Sequence, residues 1–198
     1  MRDDFADLLD GAARAAVPVV RGVDEAQFGA PTPCAEYDVR ALLNHLFHVV
    51  VNFQALAGRG TADFSVTPDR LTGDWRDRFA AETGRLVEAW SAPGALEGTS
   101  QGMGLPQHTV GEMVLGDLTV HAWDLARATG QDYVPYGPSL PVLDAGLSGL
   151  APTARQMKVF GEPFPVADGA SPFARVLAVT GRDPDWASPA ERKGTPAG

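Results

Sequence analysis

Four stretches of this chain repeat their apolar residues at steps of three and four, and no strands alternate with them. The second stretch shows the pattern most plainly. From Val39 to Ala57, Leu42, His45, Leu46, Val49, Phe53 and Leu56 fall on one helical face, Asp38 is placed to cap the start, and Gly58 stops the run. Such periodicity without interleaved strands argues against a doubly wound sheet and predicts an all-α domain built on a four-helix bundle.

The other segments follow the same logic. Residues 2 to 17 place Phe5, Leu8, Leu9 and Ala12 on one stripe, with acids in the first turn, and predict the first helix. A third is expected from about residue 69 to 91, with Leu71, Trp75, Phe79, Leu86 and Trp90 near one line; Trp75, Trp90 and Trp123 read as core. Residues 92 to 108 are glycine-rich and aperiodic, which predicts a long loop before the fourth helix and suggests a functional segment shaping a site entrance. The fourth helix is expected from about Val110 to Thr129, closing on Gly130. Shorter helical additions follow, one broken at Pro152 and one in "SPFARVLAVTGRDPDW". Residues 1–185 read as a single domain and 186–198 as a flexible tail.

Composition narrows the class of partner. Lys and Arg number 16 against 25 for Asp and Glu, a net charge of -9 with no basic stripe, so a phosphate backbone would be repelled and nucleic acid is not expected as a partner. No segment approaches a membrane span or a signal peptide. Cys34 stands alone, which suits a reducing compartment and a cytoplasmic location. A homodimer is compatible with the composition, which does not fix the assembly state.

The polar residues inside the helical stripes carry the chemistry. In "GDLTVHAWDLARATG", Asp117 and His121 are four apart and project from one face, with Asp124 a further three residues on. A carboxylate withdrawn from water needs a cation or hydrogen bonds in exchange. His45 on the second helix can face this patch across the bundle, giving two imidazoles and a carboxylate with room for an exogenous ligand. Zinc suits that donor set best, while iron or nickel would also accept it. The plainer reading is a core histidine hydrogen-bonded to a neighbour, and an ordinary Asp–His pair on a helix.

Several sequence segments carry a family resemblance: "PTPCAEYDVRALLNHLFHVV", "VLGDLTVHAWDLARATGQ", "VFGEPFPV" and "FARVLAVTGRDPDW". Together they resemble the small actinobacterial metal-binding proteins related to the N-terminal domain of mycothiol-dependent maleylpyruvate isomerase, within the DinB-like superfamily. The likeness implies a DinB-like four-helix bundle holding a divalent metal, usually zinc, through His45, Asp117 and His121. It further implies a thiol-dependent isomerase or S-transferase acting on an electrophilic small molecule, with mycothiol as the low-molecular-weight thiol cosubstrate. Isomerases of the group carry a further C-terminal domain, whereas about 38 residues follow Phe160 here, and the carboxylate ligand is the shorter aspartate. A non-catalytic metal-binding or ligand-sensing domain is the alternative.

Around this core, His48 can join the site or serve helix packing, and Asn52 can meet a ligand or fill a gap in a core polar network. Asp124 can orient an imidazole or pair with Arg127, itself a candidate at the site's edge. His108 is expected near a pocket mouth. Cys34, at a helix start, reads as a packing residue before it reads as a nucleophile.

Overall fold

A computed structural model describes residues 2–189 and 192. Among these the regular structure is helical: α1 (Arg2–Gly22), α2 (Val39–Ala57), α3 (Trp75–Ser91), α4 (Gln107–Thr129), α5 (Leu140–Gln156) and α6 (Pro172–Val179), with single 3₁₀ turns at Glu25–Gln27 and Gly137–Ser139. The extended pairing present is confined to two isolated bridges, Pro31 with Asp38 and Thr99 with Pro106.

The first four helices close a ring in which α1 and α2 each lie between α3 and α4. Side-chain pairs fix their directions. Phe5 meets Trp90 and Arg21 meets Asp77, so α1 and α3 are antiparallel. Phe47 packs on Phe79 while the Phe53 carbonyl accepts from Trp90 Nε1, so α2 and α3 are parallel. His45 meets His121 and the Leu56 carbonyl accepts from Gln107, which makes α2 and α4 antiparallel. The result is the up-down-down-up arrangement of a DinB-like bundle, with α5 laid on α4 and α6 on α5. Trp75, Trp90 and Trp123 are all buried in its core.

Two parallel consecutive helices need a connection that runs back the length of the bundle, and residues 58–74 supply it. The segment descends alongside α2, pinned at successive turns. The Gly60 amide donates to the Ala55 carbonyl, the Asp63 carbonyl accepts from the Asn52 amide, and His48 Nε2 lies 2.8 Å from that same carbonyl. Near the start of α2, Asn44 binds Asp69 and the Arg70 amide.

Three boundaries differ from the sequence reading. α3 starts at Trp75 rather than near residue 69, because Asp69 accepts the Leu71 amide in a local turn and Gly73 sits at φ 56. α1 continues to Gly22 through Pro18, and α5 continues through Pro152 instead of breaking there. Both prolines lie on solvent-facing sides, so the carbonyl each leaves unbonded can turn to water. Of the expected tail, residues 190, 191 and 193–198 lie outside the described residues.

Candidate metal centre

His45 and His121 meet at one end of the bundle, their rings edge to face with centroids 5.0 Å apart. One turn before His121, Asp117 brings Oδ1 to 3.7 Å from His121 Nε2. One ligating atom each from His45, Asp117 and His121 lies within 4.8 Å of the others, a spacing from which three donors can close on one cation. His121 is buried, whereas Asp117 keeps 30% of its side chain accessible, so the group has a buried floor and an open side.

The imidazole of His121 is held from behind. Its Nδ1 lies 3.0 Å from Asp124 Oδ2, and the same oxygen accepts from Arg182 at 3.1 Å. Asp124 is fully buried and Arg182 nearly so, which makes this an ion pair withdrawn from water. With Nδ1 set against a carboxylate, Nε2 faces Asp117, the placement of ring nitrogens typical of a metal-bound histidine. His45 is backed by the Tyr37 ring, stacked at 4.9 Å and 22°, with the Tyr37 hydroxyl 3.5 Å from His45 Nδ1.

The loop before α2 delivers Tyr37. In "APTPCAEYD" the Thr32 hydroxyl sits between the Cys34 and Tyr37 carbonyls, the Val39 amide donates back to Ala30, and Asp38 caps α2 through the Ala41 amide. A surface hollow of about 440 Å³ lies on this loop, bordered by Pro31, Glu36 and Tyr37, of which Tyr37 stacks on His45. The loop also brings Cys34 inward, its sulfur within 4.8 Å of ligating atoms of His121 and Asp124.

Charge and burial set the protonation states. Burial, reinforced by His121, His48 and Arg182, lowers His45 to about 3, leaving a neutral imidazole. Removal from water raises the Asp117 carboxyl, partly offset by His121 and Arg182. Burial pushes the Cys34 thiol up to about 11, against the lowering pull of Arg182. A neutral imidazole at His45 and an Asp117 carboxylate partly withdrawn from water belong to a donor set that a divalent cation would relieve.

The remaining residues singled out in the sequence lie elsewhere. His48 and Asn52 bind one another and the Asp63 carbonyl, holding the crossover segment. Arg127 donates to the Trp186 carbonyl, while Asp124 takes Arg182. His108 is exposed at the start of α4, roughly 20 Å along the axis from His121 at about 1.5 Å per residue. The loop before α4 does not shape the entrance. Arg59 donates to its Gly94 and Glu97 carbonyls and Gln107 to its Ala95 carbonyl and to Leu56, at the opposite end of the bundle. Tyr37 and Arg182 were not found as site residues from the sequence. Their only signal lies in the segments "TPCAEYD" and "VTGRDPDW", whose likeness to the family does not specify what each residue touches.

A helical bundle with an imidazole–imidazole–carboxylate cluster at one end belongs to the class of small bundle proteins with a candidate metal centre. The chain belongs to the mycothiol maleylpyruvate isomerase N-terminal domain family, whose sequence pattern matches residues 9–126. Two uncharacterized proteins of Mycobacterium tuberculosis, from the CDC 1551 / Oshkosh and H37Rv strains, are each 33% identical over 164 residues, covering 79% of this chain and 85% of their own. No solved structure matches. Among the described residues no helix is long and apolar enough to cross a membrane.

Proposed function

We propose that His45, Asp117 and His121 hold a divalent cation, zinc by the chemistry of the set, and that the protein is a mycothiol-type thiol-dependent isomerase or S-transferase acting on an electrophilic small molecule. The observation that carries this reading is the 4.8 Å convergence of the three donors, with His121 already turned by Asp124. The family supports the thiol, since it takes its description from a mycothiol-dependent isomerase. When bound, such a cation lowers the pKa of a thiol from about 8.5 and holds the thiolate ready for attack.

The chain's own residues would do the rest. Asp124 and Arg182 cancel one another's charge, so Asp117 is the carboxylate whose charge faces the cation. A net single positive charge would remain, which one thiolate neutralises. Tyr37, half-buried and stacked on His45, walls one side, and the accessible flank of Asp117 leaves the approach for the thiol and its partner.

A second reading, a non-catalytic metal-binding or ligand-sensing domain, draws on Cys34. A fourth protein ligand closes structural sites, and this sulfur is near His121. Its high thiol pKa and the engagement of Asp124 by Arg182 weigh against that closure. Cobalt(II)-loaded protein separates the two. Adding mycothiol should create a thiolate-to-cobalt charge-transfer band that persists in the Cys34→Ser variant, and electrophiles should then be consumed. A sulfur band present before any thiol is added, and lost in Cys34→Ser, would favour the closed site. Absence of any response to thiol would overturn the proposed activity.

A further inference from the structure

Arg182 lies beyond the family-matched residues 9–126, yet it reaches into the site those residues build. Arg182 is only 7% exposed. Burying such a cation is costly unless a specific partner meets its charge. One nitrogen donates to the Thr180 carbonyl at 2.9 Å and another to Asp124 Oδ2 at 3.1 Å, the oxygen that also faces His121 Nδ1.

The backbone aims this side chain deliberately. After α6 the chain turns at Gly181, φ 86, with the Gly181 amide donating to Ala178 and the Arg182 amide to Leu177. These are the two bonds of a Schellman motif, whose left-handed residue reverses the chain direction. A Cβ at Gly181 would also sit 2.7 Å from the Gly161 Cα, so space and φ both demand glycine. The short helix and its cap thus deliver one cation, across 58 residues of sequence, to the carboxylate behind one histidine.

We propose that Arg182 is a positioning residue for the candidate metal centre. It fixes the Asp124 carboxylate so that this accepts the proton of His121 Nδ1, which leaves the Nε2 lone pair facing Asp117 and His45. The effect on the metal rests on the function proposed above; the effect on the His121 tautomer does not.

The test uses metal-free, ¹⁵N-histidine-labelled full chain, followed by zinc affinity from chelator competition. The ring proton of His121 should sit on Nδ1 in the native protein and be shared between the two nitrogens in Arg182→Met, with Arg182→Lys intermediate. Zinc affinity should fall about 10- to 100-fold in Arg182→Met, the range for lost partners of metal-bound histidines. Arg175→Met is the control: it cuts the Arg175–Asp144 tie between α6 and α5, away from the site. It should lower the melting temperature while leaving the tautomer and zinc affinity as in the native chain.

An unchanged tautomer in Arg182→Met, or an equal change in Arg175→Met, overturns the proposal. If Arg182→Met does not fold, Arg182→Lys and Asp124→Asn decide it, since both must move the same His121 signals. If the native chain takes up no zinc, the metal centre falls, and the tautomer comparison still decides the role of Arg182.

Discussion

Asp124 shows how one residue binds fold and site together. It is fully buried, and its carboxylate is tolerated because Arg182 and His121 both engage Oδ2. Asp124→Asn would leave the Arg182 guanidinium buried without a counter-charge, which costs about 3–5 kcal/mol. Urea unfolding at neutral pH should show a loss of that size in the metal-free protein. The sequence made the first half of this legible. Spacing on a 3.6-residue helix put Asp124 within reach of His121, but the same spacing offered Arg127 as its ion-pair partner, and Arg127 instead donates to the Trp186 carbonyl. Arg182 was out of reach because no local period links residues 58 apart.

At the scale of elements, the crossover segment 58–74 explains polar residues that a helix wheel leaves ambiguous. The wheel leaves His48 either joining the site beside His45 or packing a helix, without showing that an irregular stretch of chain passes over it. His48→Ala would lose the contact with the Asp63 carbonyl and the edge of Phe64. A destabilisation of about 1–2 kcal/mol should follow, with metal content unchanged, as chemical denaturation and elemental analysis together would show. Lower on the same segment, the Leu71 amide, Arg40 and Asn44 hold the Asp69 carboxyl below its ordinary 3.8. A depressed carboxyl contributes stability above its unfolded pKa and loses it as pH falls through the folded one. Asp69→Asn should therefore melt below the native protein near neutrality, the two curves converging below about pH 4. Helix cores were legible because burial follows period. The ends of α3 and α5 were not, since a local Asp69 turn and a solvent-facing Pro152 decide them.

For the whole molecule, the parallel pairing of α2 with α3 places the ends of α2 and α4 that carry His45 and His121 together, and moves the glycine-rich loop before α4 to the far end. Periodicity predicted four helices but not their directions, so it assigned the entrance to the wrong loop; the segment "APTPCAEYD" borders the site instead. A cation that binds only this folded end must stabilise the entire bundle. At a free concentration of a thousand times its dissociation constant the gain is about 4 kcal/mol, or roughly 8–16 °C in a domain of this size. Thermal melts with and without zinc should show that rise in the native protein and none in His45→Ala.

The most direct measurement is the metal content of the purified native chain beside His45→Ala and His121→Ala, each confirmed to be folded. The native protein should carry a stoichiometric divalent ion, and each variant should lose it. Stoichiometric metal in both variants would contradict the centre, because the ion would then be held by residues other than the converging three.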